Sequence, residues 1–150
     1  MSEQRLWVTG PMPGMNQILD FKSRTMGGFR KHSGPKWNMY AQEKREWSEK
    51  INAAAVRQKL QPSQASYITF FIIEPNKRRD PDNFTFGAVK FILDALVNGK
   101  YLEGDGWKSI LGFTSYWDVS DLPGVAVFIR DDRLLTREEC AMGQREVDLG

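Results

Sequence analysis

The sequence has only one cysteine, Cys140, among its 150 residues, so no internal disulfide can form. This cysteine usage is typical of a reducing compartment, and a cytoplasmic location is the simplest expectation. No apolar run approaches the roughly 18 residues that a membrane-spanning helix needs. Residues 1–14 also lack the charged-then-apolar layout of a signal peptide.

The chain also lacks internal repeats and low-complexity tracts, and its composition is ordinary, with 41% hydrophobic and 27% charged residues. A chain of this length suits a single domain, which buries about 68–70% of the surface of its unfolded state. We assign this domain to residues 1–131. Residues 132–150 are charged and weakly patterned, and we expect a tail that is either a loose helix or frayed.

Charge is unevenly distributed, although the net charge is only +2. Residues 1–117 carry 17 basic and 11 acidic side chains, whereas residues 118–150 carry 4 basic and 8 acidic ones. The basic part includes residues 21–36, a Gly- and Ser-containing segment with Arg30, Lys31 and three other bases but no acid, which we expect to form a loop. This balance permits nucleic-acid binding without requiring it.

Hydrophobic periodicity predicts an alternation of strands and helices. Two apolar runs around the turn at 120–124 predict an antiparallel strand pair. The predicted elements, in order, are a strand at 5–10, a helix at 36–60, a strand at 65–74, a helix at 81–98 and strands at 108–119 and 124–131. This order indicates an α/β (α+β) fold, a single domain with a mixed β-sheet of about four to five strands and two main helices packed on it.

The helix predicted over 81–98 has clear end signals. Asp80 is a favoured N-cap residue, Pro81 suits the first helical position and Gly99 suits the end. On a helical projection nearly all its polar side chains fall in a stripe about 80° wide. The rest of the surface is apolar, which is typical of a helix buried on most sides.

Lys90 and Asp94 lie in that polar stripe. One interpretation is an i,i+4 ion pair in the less favourable order. The other is a narrow polar slot, in which the lysine stabilises charge on a phosphate or protonates a leaving oxygen. The sequence leaves both open.

The helix start combines two acids, Asp80 and Asp82, with three bases directly before them, Lys77, Arg78 and Arg79. Aspartates at a helix start are favoured by the unpaired amides and the helix dipole, so a solvated helix cap is the simpler interpretation. The alternative is a Mg²⁺ or Mn²⁺ site, since these ions take carboxylate oxygens together with substrate phosphate. The bases would then pair with phosphates.

Asp105 lies in a Gly-Asp-Gly turn before the strand predicted at 108–119. Turn chemistry alone explains an aspartate there. Because the turn follows the helix that carries Lys90, we also expect that it could fold back beside Asp80 and Asp82. Three carboxylates would then complete a site for two divalent ions in phosphodiester cleavage.

Taken together, these motifs resemble the RusA family of phage and prophage Holliday-junction resolvases. The resemblance rests on "RRDPDN", the following helix with "KFILDAL", and "GKYLEGDGW". The loop "PMPGMNQ" and the helix "MYAQEKREWSEKI" support it. It covers roughly residues 5–131, and the lysine follows the second acid about one helical turn later than in the family pattern.

The resemblance implies a homodimeric, Mg²⁺- or Mn²⁺-dependent endonuclease that cleaves four-way DNA junctions in recombination and repair. It assigns metal binding and catalysis to Asp80, Asp82 and Asp105, and an essential catalytic role to Lys90. We expect DNA contacts from five basic residues: Lys77, Arg78, Arg79, Arg30 and Lys31. Two alternatives stay open, a non-cleaving module that binds branched DNA on the same fold, and a Mg²⁺-dependent enzyme acting on a small phosphorylated substrate.

Overall fold

The computed structural model describes residues 2–15 and 39–149. These residues form a four-stranded sheet and three helices of two turns or more. The strands are β1 (Glu3–Thr9), β2 (Ser66–Glu74), β3 (Ile110–Val119) and β4 (Gly124–Arg130), and the helices are α1 (Met39–Arg57), α2 (Pro81–Asn98) and α3 (Arg137–Leu149). The predicted fold class, a single-domain mixed sheet with two main helices on it, is confirmed.

The strand order in the sheet is β1-β4-β2-β3. Strand β4 runs antiparallel to both β1 and β2, whereas β3 runs parallel to β2. The predicted antiparallel pairing of the last two strands is therefore wrong, because β2 lies between them. Their connection crosses the end of β2, where the Ser120 amide donates to the Glu74 carbonyl at 3.0 Å.

Burial explains this arrangement. All seven residues of β4 are buried, which requires neighbours on both edges and cover on both faces. Every residue of β3 is either partly buried or exposed, so the strand suits the edge of the sheet. A local turn signal cannot distinguish two adjacent strands from two strands separated by a third.

The two faces of the sheet carry separate cores. Helices α1 and α2 cover the larger one, which includes Ile51, Phe70, Phe91 and Val127, all at most 1% exposed. The smaller core lies on the other face, where Leu135 and the chain up to α3 pack against Phe71 and Phe128. Residues beyond 131 thus cover one face of the sheet.

The ends of α2 follow the sequence signals, with one difference. Asp80 is the N-cap and Gly99 the C-cap, but the left-handed residue that ends the helix is Lys100, with φ 64°. Gly99 has φ −80°. A β-carbon on Gly99 would overlap the side chain of Asn52 on α1, so this glycine serves close helix packing.

Helix α3 begins with a reciprocal capping arrangement. The Thr136 amide donates to Oε1 of Glu139 (3.0 Å), and the Glu139 amide donates to Oγ1 of Thr136 (3.2 Å). Arg133 pairs with the same carboxylate at 2.7 Å. None of the helices in the described ranges is both long and apolar enough to cross a membrane.

Candidate active site

The predicted acidic pair lies where β2 gives way to α2. Asp80 has extended backbone angles, φ −75° and ψ 149°, and its carbonyl accepts the amides of Asn83 (3.0 Å) and Phe84 (3.3 Å). Its carboxylate makes no capping hydrogen bond and is exposed. Asp80 therefore caps the helix through its backbone alone, and its side chain is left for another role.

Asp82 lies in the first turn of α2 and is also exposed. One oxygen, Oδ1, accepts the amide of Asn83 at 2.9 Å. The helix start thus presents two solvent-facing carboxylates two residues apart. The helix dipole favours negative charge at this position.

The three bases before Asp80 have different surroundings. Lys77 and Arg78 are exposed, and the Arg78 amide donates to the side chain of Asn76 at 2.9 Å, which shapes the turn. Arg79 instead forms a two-pronged pair with Glu74, with both N–O distances at 2.7 Å. Lys77 and Arg78 face solvent as DNA-contacting side chains must, whereas Arg79 is bound within the protein.

The cavity beside Asp80 has a volume of about 380 Å³. Its walls come from the turn after β2, the start of α2 and the end of β3, together with Arg137 of α3. The ring of Trp117 meets that of Phe84 edge to face, with centroids 6.1 Å apart. Asp118 also lines the cavity and lies 3.6 Å from Arg137.

Sequence reasoning missed Trp117, Asp118, Glu74 and Arg137 as neighbours of Asp80. The usable signal was the parallel relation of β2 and β3, because the carboxyl ends of adjacent parallel strands meet at one edge of a sheet. Register confirms this relation, since Asp118 is opposite Ile73. The predicted antiparallel pairing concealed it.

Lys90 lies further along α2, about 12 Å from Asp82 in the direction of the helix axis. Its ammonium is 3.5 Å from Oδ2 of Asp94, the i,i+4 pair expected from the spacing, and Lys44 of α1 reaches the same oxygen at 3.2 Å. The polar stripe of α2 therefore faces α1, where one carboxylate is shared by two lysines.

Asp105 is at the opposite end of the sheet from Asp80. The Ser66 amide at the start of β2 donates to the Ser109 carbonyl at 2.9 Å, and Ile110 is opposite Ser66. The nine residues of β2 therefore lie between Asp105 and Asp80. The length of this strand is on the order of 25 Å. The expectation that this turn folds back beside Asp80 and Asp82 is wrong within one chain.

Within residues 2–15 and 39–149, no three or more His, Cys, Asp or Glu side chains come together in a way that could hold a metal ion. A metal at this site would have to use fewer protein ligands or ligands from another molecule. Arg30 and Lys31, predicted to contact DNA, lie outside the described residues.

No protein-family model matches the chain, and no curated protein matches its sequence.

Proposed function

We propose that this protein is a metal-dependent endodeoxyribonuclease that resolves four-way DNA junctions by paired cleavage, in recombination and repair. One observation carries the proposal: Asp80 and Asp82 present exposed carboxylates, the first unused in helix capping, directly beside the exposed Lys77 and Arg78. Acids and bases side by side suit a metal ion and a phosphate together. The resemblance to RusA resolvases supports the same function.

The residues present fit a hard divalent cation. Two carboxylates at one helix start provide the oxygen ligands that Mg²⁺ or Mn²⁺ prefers, and such ions are often held by one or two carboxylates together with substrate phosphate. A bound ion would supply Lewis acidity at the scissile phosphate. Asp80 and Asp82 would hold the ion, while the basic side chains of Lys77 and Arg78 would orient the DNA.

Lys77 and Arg78, both exposed beside Asp80, would bind backbone phosphates near the cleaved bond. Phosphate contacts of this kind release counterions, so junction binding should weaken steeply as salt rises. Neither residue reads base identity in this role. Selectivity would then come from the branched shape of the junction.

A second copy of the chain would bring Asp105 to this site. Strand β3 starts just after Asp105 and ends at Val119, near the cavity beside Asp80. It is an edge strand with no outer strand partner in the described part of the chain, and unpaired edges can pair with another chain. Antiparallel pairing of β3 with its copy, around a two-fold axis, would put Asp105 of each chain at the Asp80 end of the other.

The side chains of β3 support this arrangement. Leu111, Phe113 and Trp117 are 46–53% exposed and lie on one face of the strand. Phe86 of α2 adds a further exposed apolar side chain, at 40%. Exposed apolar residues along an edge are a reason for self-association. A four-way junction, with its near two-fold symmetry and two cuts, suits a symmetric dimer.

The cavity supports a second candidate, a Mg²⁺-dependent enzyme acting on a small phosphorylated compound. Its volume of about 380 Å³ and its lining by Lys77, Asp80 and Arg137 suit such a ligand. This function needs no second chain and no DNA, so the substrate distinguishes the two candidates.

A cleavage assay tests the proposal. The purified protein is incubated with a synthetic four-way junction or the matching linear duplex, with and without Mg²⁺ or Mn²⁺, alongside Asp82→Asn. We expect paired, metal-dependent nicks confined to the junction, absent in the variant. Tight junction binding without nicks would instead indicate a binding module. No action on DNA, with release of phosphate from small phosphorylated compounds, would favour the second candidate.

A further inference from the structure

We propose that Arg79 is a positioning residue that fixes Asp80 through Glu74 and the loop after β1, and that it does not contact DNA phosphate. The inference rests on the proposed function and concerns the same site. It separates Arg79 from Lys77 and Arg78, its neighbours in the basic run.

The pair between Arg79 and Glu74 spans the turn between β2 and α2. Nε and Nη2 of Arg79 donate to the two carboxylate oxygens of Glu74, each at 2.7 Å. Glu74 is the last residue of β2, and its side chain is 5% exposed against 25% for Arg79. A carboxylate so deeply buried needs its partner, because an unpaired buried charge is strongly destabilising.

The same guanidinium holds the loop that follows β1. Its Nη1 donates to the carbonyl of Met12 at 2.9 Å, and Met12 is 4% exposed. A β-carbon on Gly14 would come within 3.0 Å of that nitrogen and overlap the side chain of Asn83. At least three of the five N–H groups of Arg79 therefore donate within the protein, and the loop rests on the first turn of α2.

Asp80 follows Arg79 directly and is held from both sides. The Arg79 pair fixes the chain before it, and the amides of Asn83 and Phe84 fix its carbonyl after it. Loss of the pair would free the turn at residues 74–79 and let the Asp80 carboxylate shift. Small displacements of this kind weaken metal binding and catalysis far more than phosphate binding.

The first test measures how the affinity for the four-way junction depends on salt concentration, in the absence of divalent ions. Glu74→Gln/Arg79→Gln removes both charges and leaves no buried carboxylate unpaired. We expect the slope of log Kd against log salt to stay at the wild-type value. Arg78→Gln is the comparison, and its slope should fall by about one, as for loss of a phosphate contact. A fall of about one in the double variant would overturn the proposal.

Metal requirement provides the second test. Arg79→Lys keeps the positive charge but cannot form the two-pronged pair. We expect it to raise the Mg²⁺ concentration for half-maximal junction cleavage roughly tenfold, with junction affinity within about twofold of wild type. The double variant should behave similarly. If Arg79 instead acted only as a positive charge on phosphate, Arg79→Lys would keep the wild-type Mg²⁺ requirement. That result would contradict a positioning role for Arg79.

Amide hydrogen exchange is a readout independent of activity. The Asn83 and Phe84 amides, which bond the Asp80 carbonyl, should exchange faster in Arg79→Lys than in wild type, while the core strand β4 stays protected. If wild type shows no cleavage at all, the proposed function fails, yet exchange still decides the inference. Unchanged exchange at these two amides would overturn it.

Discussion

Gly87 packs against the carbonyl group of Pro13 so closely that a β-carbon at Gly87 would overlap that group. Gly87 is buried on α2, and Pro13 belongs to the loop after β1. The contact fixes the loop against the helix that Asp80 begins. Arg79 ties the same loop to the same helix start, so the loop and the candidate site form one packed unit.

Gly87→Ala should destabilise the protein, although alanine has the higher helix propensity by about 1 kcal/mol. The overlap involves backbone atoms, so relief requires the loop or the helix to move, and overpacking of this kind costs about 1–3 kcal/mol. Gly106→Ala is the control, since no described atom beyond the glycine and its two chain neighbours lies within 4 Å of the added carbon. Urea unfolding should show a clear loss for the first variant and a change within about 0.5 kcal/mol for the second. Equal effects would contradict the Gly87 contact.

Lys44 provides a matched control for Lys90. The ammonium groups of both lysines lie near Oδ2 of Asp94, and the side chains are exposed to a similar degree, 36% for Lys44 and 32% for Lys90. Replacing either by alanine should change stability by about 0.5 kcal/mol or less. If Lys90 also stabilises charge on a phosphate, Lys90→Ala should lower the junction-cleavage rate at least tenfold. Lys44→Ala should leave that rate within about twofold. Equal rates for the two variants would assign Lys90 to the ion pair alone.

Cys140 should be chemically inert in the folded protein. Its side chain is 0% exposed, and burial, followed by the nearby Glu139 and Glu3 charges, raises the pKa of the thiol to about 12. The reactive thiolate is therefore scarce at neutral pH. A colorimetric thiol reagent should react with no thiol in native buffer and with one per chain in denaturing urea. Rapid reaction in native buffer would contradict the packing of α3 on the sheet.

The start of α3 should lose stability in acid. The Arg133 hydrogen bond and the Thr136 amide lower the pKa of Glu139 from 4.5 to about 2. Because the folded-state pKa is the lower one, the contribution is complete above about pH 4.5 and is lost as pH falls toward 2. Glu139→Gln keeps the capping hydrogen bond but removes the charge. The difference in unfolding free energy between wild type and variant should therefore shrink over this range. A difference independent of pH would exclude the ion pair as its source.

Local signals in the sequence were sufficient for much of the fold. Asp80, Pro81 and Gly99 mark the ends of α2, although Lys100 is the left-handed residue that ends it, and the β-branched run at residues 65–74 predicts β2. The capping pair Thr136 and Glu139 was also readable as a helix start, and it could have turned the loose tail into a predicted helix.

Strand pairing was beyond local reasoning. The turn at 120–124 predicts that the chain reverses direction between β3 and β4, and this is correct. It does not indicate that β2 lies between these two strands. Because the pairing of β3 with β4 is wrong, the position of Trp117 and Asp118 beside Asp80 is not predicted. For the same reason Asp105 is predicted at the Asp80 end of the sheet, whereas it lies at the opposite end. The role of Arg79 was hidden for a similar reason, since it depends on the burial of Glu74 and on a loop more than 60 residues earlier.

Mixing two inactive variants tests the central claim most directly. Asp82→Asn chains and Asp105→Asn chains are each expected to be inactive on the four-way junction with Mg²⁺. If each site combines Asp82 of one chain with Asp105 of the other, every mixed dimer contains one intact site. An equal mixture, unfolded and refolded together, should then recover about one quarter of the wild-type sites, as single nicks. A mixture as inactive as its components, beside an active wild type, would contradict a site shared between two chains.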